Sequence, residues 1–233
     1  MSLVHSVSVL GAMLRATLPT ITEGVRGTVQ RATVDARARA FGQRVITLLD
    51  LDVHVHGGET LDPNAAYVYL ANHQSHLDIP ILYATLPSHT LRMVGKKELF
   101  AVPWWGRGLQ AAGFIAIDRS NKTQAYASIE RAKTLVREGV SIYLAPEGTR
   151  SRDGRLAPLK RGGFHLAADT GAPIVPVAID GTLAVMPPGH ATMHPGKRID
   201  VTIGAPLASD APLATLVAEV EKFLREHVRQ PAS

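Results

Sequence analysis

His73 and Asp78 are the two side chains in this 233-residue sequence best suited to acid–base chemistry. They belong to the polar segment Asn72–Asp78, which follows an apolar run at 67–71. On one continuous helix, residues at this spacing would point about 140° apart and could not meet. Pro80 favours a helix that begins near Asp78, which leaves His73 on the preceding loop. A carboxylate bound to one imidazole nitrogen would leave the other free to accept a proton from a hydroxyl.

Two other interpretations of this segment stay open. Asp78 could simply cap a helix while Asn72 turns the chain, since both residue types are common at such positions. A metal site is the second alternative, because histidine nitrogens and a carboxylate are present, but no recognisable zinc signature accompanies them and we predict no metal. The ligands available to such a site would be His54, His56, His73, His76 and Asp78.

A second polar cluster, Pro146–Ser151, follows the apolar run at 140–145. Gly148 lets the backbone approach a ligand closely, and Thr149 offers a hydroxyl. Arg150 offers a planar fork that suits a phosphate group. The alternative is an ordinary solvated basic loop, because further cations follow. These are Arg152, Arg155, Lys160 and Arg161.

More cations stand at the ends of two other predicted strands. Arg119 closes the segment Gly113–Arg119, while Lys96 and Lys97 follow the run at 91–95. Because the carboxyl ends of parallel strands open on a common crevice, these side chains can converge there.

Composition narrows the class of protein. The chain has no Cys, which excludes disulfides, thiolate metal sites and thiol nucleophiles and agrees with a reducing compartment. The net charge is +5, but aromatic residues are only 5%, so few platforms exist for stacking bases and we expect no nucleic acid as partner. An anionic membrane or a phosphorylated substrate accounts for the charge better.

Beyond residue 50, short apolar runs alternate with longer helical patterns. This alternation predicts an α/β domain over 51–233, with a mixed, mostly parallel sheet flanked by helices. A helix over 122–138 should begin at Asn121 and stop at Gly139, with Tyr126 and Val136 on its apolar face, and a last helix should cover 213–228. Strands are predicted near 51–56, 66–71, 90–95, 113–117, 140–145, 173–179 and 199–203.

Residues 1–50 differ from the rest of the chain. Apolar residues recur there at helical spacing in two stretches, and six Arg stand against three acidic residues. No stretch is long enough to span a bilayer, and the segment lacks the features of a secretory signal. We therefore predict an amphipathic helical pair that associates with a membrane surface, although ordinary packing on the domain is the alternative.

Taken together, four ordered blocks resemble the PlsC-type glycerolipid acyltransferases, and the similarity covers about 67–181. The resemblance implies a glycerol-3-phosphate acyltransferase-like fold and transfer of a fatty acyl group from acyl-CoA or acyl-carrier protein. The acceptor would be the free hydroxyl of 1-acyl-sn-glycerol 3-phosphate and the product phosphatidic acid, for phospholipid biosynthesis. The blocks are Asn72–Asp78, Gly113–Arg119, Pro146–Arg150 and Val175–Ile179.

The resemblance also implies roles for single residues. His73 would be the general base and Asp78 its orienting carboxylate. Acceptor phosphate would bind Arg150 with Arg119 and Lys96. The glycerol pocket would be shaped by Glu147, Gly148 and Thr149.

Several consequences and alternatives accompany this prediction. No cofactor is expected, since the thioester is already activated and needs no covalent enzyme intermediate. The expected partners are membrane lipids, a lysophospholipid acceptor and the acyl donor, and the expected location is peripheral, on the cytoplasmic face of a membrane. The alternatives are another lysolipid acceptor, a metal-dependent hydrolase or a catalytically idle membrane-binding module.

Overall fold

The computed structural model describes residues 2–87, 90–103, 105–118 and 120–229. Within them, the helices are α1 Ser2–Arg26, α2 Arg31–Leu48, α3 Asp78–Thr85, α4 Lys97–Phe100, α5 Trp105–Ala111, α6 Lys122–Arg137, α7 Gly162–Thr170, α8 Thr182–Val185 and α9 Leu213–His227. The strands are β1 Asp52–Gly57, β2 Val68–Ala71, β3 Leu91–Lys96, β4 Ile115–Ile117, β5 Ser141–Leu144, β6 Ile174–Asp180 and β7 Arg198–Ile203. Each predicted strand is present, within a few residues of its expected bounds.

The strands form one sheet in the order β1-β7-β6-β2-β5-β3-β4. All neighbouring pairs are parallel except β6 and β7, which are antiparallel. The expectation of a mixed, mostly parallel sheet is therefore confirmed. Because β7 is antiparallel to β6, the start of β7 lies at the same edge as the ends of β6, β2, β5, β3 and β4.

The central strand β2 shows why this sequence builds three layers. Each of its residues is buried, as expected for a parallel strand covered on both faces. Successive side chains point to opposite faces, so Tyr69 joins a core with α2 and α3, whereas Leu70 joins a core with α6, α7 and α9. The loop that follows β2 therefore leaves from the middle of the sheet.

Helix α2 is part of the first of these cores. Val45 and Leu49 at its carboxyl end are fully buried. A Cβ on Gly42 would lie 2.2 Å from the carbonyl oxygen of Pro80, so α2 and α3 touch backbone to backbone. The predicted helical pair is present, while the membrane role predicted for residues 1–50 stays a prediction.

Helix α1 packs on α2 and α5 but leaves much of its apolar surface open. The Arg37 guanidinium on α2 donates to both carboxylate oxygens of Glu23, at 2.5 and 2.7 Å, and this ties the two helices together. No helix in the described part of the chain is long and apolar enough to cross a membrane. The exposed apolar residues of α1 are Leu3, Val4, Val7, Leu10, Leu14, Leu18 and Val25.

Helix α6 begins and ends as the sequence predicts. The Asn121 side chain accepts a hydrogen bond from the Gln124 amide at 3.1 Å, and Gly139 follows the helix with φ +81°. One residue that was predicted on the buried apolar face of α6 is exposed instead. Tyr126 is 66% exposed, because it lies in the first turns, beyond the core that Val136 joins, and Lys133 stands over its ring.

Candidate active site

The loop after β2 is held to the neighbouring strand before it turns. The Asn72 side-chain amide donates to the carbonyl oxygen of Ile179 at 2.8 Å, and its oxygen accepts from the Ile179 amide at 2.8 Å. This two-way contact extends the pairing of β2 with β6 by one residue. His73 therefore starts from a fixed backbone position.

Asp78 is the anchor of the site. It is completely buried in the first turn of α3, where the helix dipole favours a negative charge. Its Oδ2 accepts from Nδ1 of His73 at 2.7 Å and from the backbone amides of Gln74 and Ser75 at 2.8 and 3.0 Å. Its Oδ1 accepts from the Thr182 hydroxyl at 2.5 Å. A buried carboxylate with four donors has the partners that offset its desolvation.

The contact of Asp78 with His73 fixes what the imidazole can do. An acceptor-only carboxylate beside Nδ1 requires that nitrogen to carry the proton, so Nε2 presents a lone pair. The His73 side chain is 19% exposed, so the ring is held but still reaches the surface. The loop-then-helix geometry expected from Pro80 is present, and a hydroxyl near Nε2 could lose its proton there.

Glu147 joins the second polar cluster to the first. It is buried, and its two carboxylate oxygens accept from the backbone amides of His73 and Ala157 at 2.8 and 2.9 Å. Burial raises the pKa of Glu147, against the opposing effect of those two donors. The Ser151 amide also donates to the His73 carbonyl oxygen at 2.7 Å. Glu147 therefore braces two loops, which is how it would shape a pocket without itself being free to bind substrate.

Gly148 is needed for the path of the second loop. Its φ of +73° is strained for any residue with a Cβ, and that Cβ would lie 2.7 Å from Nζ of Lys160. The Lys160 side chain therefore lies across Gly148 and adds a cation to the loop that carries Arg150. Sequence analysis grouped Lys160 with the other loop cations. The only available signal was Gly148, because a glycine leaves room for another side chain to lie across it.

Arg150 lies within electrostatic reach of the His73 loop. The pKa of His76 is lowered, first by partial burial of its ring and then by the positive charge of Arg150. The Arg150 side chain is half-buried, and Thr149 beside it is exposed. The two polar clusters thus meet at one edge of the sheet, as expected.

The third cluster lies at the same edge, beyond β5. Lys97 donates to Asp118 at 2.6 Å, and this bond together with those from Ser120 lowers the pKa of Asp118 to about 2. The contact ties the end of β3 to the end of β4. Lys96 is more than half exposed and stands 3.3 Å from a carboxylate oxygen of Glu98. Arg119, the third predicted phosphate ligand, lies outside the described residues.

Thr182 is a site residue that sequence reasoning missed. It follows Gly181, whose φ of +100° turns the chain sharply after β6 and brings the hydroxyl to Asp78. A hydroxyl just past the carboxyl end of a strand beside β2 was the available signal. Its contact with Asp78 crosses 104 residues of sequence, which no local pattern reveals.

The histidines considered for a metal site do not lie together in one cluster. His54 and His56 lie on the edge strand β1, where they approach Asp52 and Asp200. Among the described residues, no group of three or more His, Asp or Glu side chains is arranged to hold a metal ion.

A family model described as Acyltransferase matches residues 52–180, more than half of the chain. The chain belongs to the acyltransferase family. The matched region contains both polar clusters and their supporting strands, so the resemblance drawn from the four blocks is confirmed.

Named members of the acyltransferase family each align with more than half of this chain. A chloroplast 1-acyl-sn-glycerol-3-phosphate acyltransferase of Brassica napus is 39% identical over 60% of this chain and 40% of its own length. The enzyme of that name from Cocos nucifera is 34% identical over 72% of this chain and 54% of its own. The human alpha form is 37% identical over 57% of this chain and 47% of its own length. The chain therefore matches only about half the length of these relatives.

A solved structure from the acyltransferase family covers nearly the whole fold. The crystal structure of the 1-acyl-sn-glycerophosphate (LPA) acyltransferase PlsC from Thermotoga maritima superposes with a TM-score of 0.82 at 25% identity. The match includes 97% of this chain and 93% of that one. The predicted fold class is thereby confirmed.

Proposed function

We propose that this protein transfers a fatty acyl group from a thioester to the free hydroxyl of 1-acyl-sn-glycerol 3-phosphate, forming phosphatidic acid. The observation that carries the proposal is the hydrogen bond of the surface-reaching His73 to the buried Asp78 after the central strand, beside the loop of Arg150. The names of the aligned relatives and of the PlsC structure support the choice of acceptor. Acyl-CoA and acyl-carrier protein are both suitable donors.

His73 is the general base of the proposed reaction. Nε2 removes the proton of the acceptor hydroxyl as its oxygen attacks the thioester carbonyl carbon. Asp78 holds the ring and stabilises the imidazolium without taking the proton itself. When the carbon–sulfur bond breaks, the imidazolium returns the proton to the leaving sulfur. The thioester supplies the activation, so no cofactor or metal is required.

Phosphate recognition falls to the cations at the same edge of the sheet. Arg150 can grip two phosphate oxygens with its fork, and Lys160 adds a point charge across Gly148. Arg119 and Lys96 complete the proposed set. Gly148 and Thr149 then lie beside the glycerol, on a loop that Glu147 braces.

Helix α1 is the proposed membrane contact, at the cytoplasmic face where both thioester donors occur. Its exposed Leu and Val side chains would enter the interface, and nearby cations would meet anionic lipid headgroups. Three of the six N-terminal Arg are engaged elsewhere, since Arg31 pairs with Glu138, Arg37 pairs with Glu23, and Arg39 donates to the carbonyl oxygen of Leu86. The electrostatic share of binding would rest on the other three.

An acceptor panel tests the proposal directly. Full-length protein is incubated with labelled acyl-CoA or acyl-carrier protein and with lysophosphatidic acid, glycerol 3-phosphate or another lysophospholipid, with and without EDTA. Labelled phosphatidic acid that forms equally well with EDTA is the expected product. Preferred acylation of a different lysolipid would overturn the acceptor assignment. Thioester hydrolysis that EDTA abolishes would favour the metal-dependent hydrolase.

A further inference from the structure

A cleft of about 600 Å³ reaches the His73 loop where β6 ends and β7 begins. On the side of β6 and β7 its lining includes Gln74, Gly181, Leu183, Ala184, Lys197 and Arg198. Asp153 and Gly154, which follow Arg150 on the loop after β5, also line it, as does Asp180.

Gln74 gives the inner end of the cleft an unused acceptor. It directly follows His73, and its backbone amide donates to the same Asp78 oxygen that holds the imidazole. Gln74 is 3% exposed, and within the described structure its Oε1 has no hydrogen-bond partner. A buried acceptor left unpaired is destabilising, so a ligand N–H placed there would remove that cost.

The walls and the rim of the cleft differ in character. Gly181, Leu183 and Ala184 form a small, partly apolar wall at the start of α8. At the rim, Arg198 is neutralised by Asp200, and Arg229 by Asp180. Lys197 is exposed and makes no ion pair within the residues that the structure describes. The cleft therefore combines an amide acceptor beside His73, apolar contacts and a cation that makes no ion pair, with the exposed carboxylate of Asp153 also on its lining.

We propose that this cleft binds the phosphopantetheine arm of the acyl donor, an inference that rests on the proposed function. The arm is slender, carries amide N–H groups and methyl groups along its length and ends in a phosphate, and these groups match the chemistry of Gln74, the α8 wall and Lys197. Coenzyme A and acyl-carrier protein both carry it. The thioester would then stand beside His73.

Filling the cleft tests this placement. Ala184 is exposed, so Ala184→Phe narrows the cleft without disturbing a core, and Ala168→Phe on α7 is a matched exposed control. We expect Ala184→Phe to raise the KM of acyl-CoA and of acyl-carrier protein at least about tenfold and to leave the acceptor KM unchanged, which corresponds to about 1.4 kcal/mol. Binding of coenzyme A alone, measured by calorimetry, should weaken by a similar factor.

Two single substitutions test the ends of the arm. Gln74→Met keeps the side-chain length but removes the amide, and it should raise the donor KM with little change in acceptor KM. Lys197→Gln should weaken coenzyme A binding and flatten its dependence on salt, because one charge contact is lost. Loss of acceptor affinity in either variant would contradict the assignment.

The outcomes separate this inference from the proposed function. If the wild type transfers acyl groups and Ala184→Phe matches Ala168→Phe in donor KM and coenzyme A binding, the arm binds elsewhere and the inference is wrong while the function stands. A loss confined to acyl-CoA would also overturn it, since the shared arm would not be the group affected. If the wild type transfers nothing but Ala184→Phe alone loses coenzyme A, the cleft assignment stands and the proposed function fails.

Discussion

The loop after β2 and helix α1 expose opposite kinds of surface. In the loop, Asp78 is completely buried with four hydrogen-bond donors, and the backbone of His73 is held through Glu147 and Ser151. On α1, a row of large apolar side chains stands open, with Val7 63% exposed. Polar groups are enclosed where the proposed chemistry needs fixed geometry, and apolar groups are open on the helix that we propose meets a membrane. We infer that chemistry and membrane contact are separable.

Removing the base should have the largest effect of any single change. His73→Ala and Asp78→Asn should each lower kcat by about 10² to 10⁴-fold, because the pair acts as one unit in proton transfer. Co-sedimentation with liposomes should not change. Circular dichroism and urea midpoints would show that the variants are folded, and wild-type-like transfer by folded His73→Ala protein would remove the mechanism.

The complementary experiment alters the exposed apolar face of α1 and leaves the His73 loop unchanged. Val7→Gln with Leu14→Gln introduces a good helix former at both positions and removes apolar area, and a fully buried side chain of this size contributes about 1.5–3 kcal/mol. Affinity for anionic liposomes should fall about tenfold or more, whereas activity on acceptor dispersed in detergent should persist. Tyr126→Gln, at a similarly exposed position on α6, is the control. If detergent activity is lost in step with membrane binding, the two regions are not separable.

Helices α1 and α2 show where sequence reasoning stops. Both have apolar residues at helical spacing, but Val45 is fully buried because Gly42 lets α2 touch α3, while no such contact covers Val7. Periodicity predicts a helix and an apolar face, not what covers that face. The central strands β2, β5 and β6 were predictable because strands buried on both faces read as continuous apolar runs.

In the candidate site too, local features could be predicted from the sequence and tertiary contacts could not. His73 and Asp78 could be predicted as a pair because Pro80 sets the helix start locally. The contacts of Thr182 with Asp78 and of Glu147 with His73 join residues far apart in sequence, and only the assembled sheet brings them together. Tertiary partners of a local motif therefore need the structure.

A smaller effect is expected at the phosphate side of the site. Arg150→Lys keeps the charge but loses the fork, and a hydrogen bond to a charged group is worth roughly 1.5–3 kcal/mol. The acceptor KM should rise about tenfold while donor KM moves less. Arg152→Lys, at an exposed position on the same loop, should leave both unchanged. Unaltered kinetics in Arg150→Ala would instead assign the phosphate to Arg119, Lys96 or Lys160.

The smallest expected effect concerns Glu147, which holds the His73 loop in place, and its contribution to the pH dependence of stability. Because burial raises the pKa of Glu147 above its ordinary value of 4.5, the folded state holds this proton more tightly than the unfolded state. The resulting stability is fully present below pH 4.5 and is lost as the pH rises through the raised pKa. Glu147→Gln cannot titrate, so it should remove this dependence and add only a constant loss from its imperfect amide contacts.

Urea unfolding midpoints between about pH 4 and 7.5 would measure the difference between wild type and Glu147→Gln. The difference in urea midpoint between wild type and Glu147→Gln should shrink as pH rises. Glu219→Gln, an exposed change on α9, should differ from wild type by the same amount at every pH. An advantage that grows with pH would mean that the backbone donors of His73 and Ala157 outweigh burial at Glu147. In that case the ionised carboxylate itself would stabilise the loop, and the brace would be electrostatic in origin.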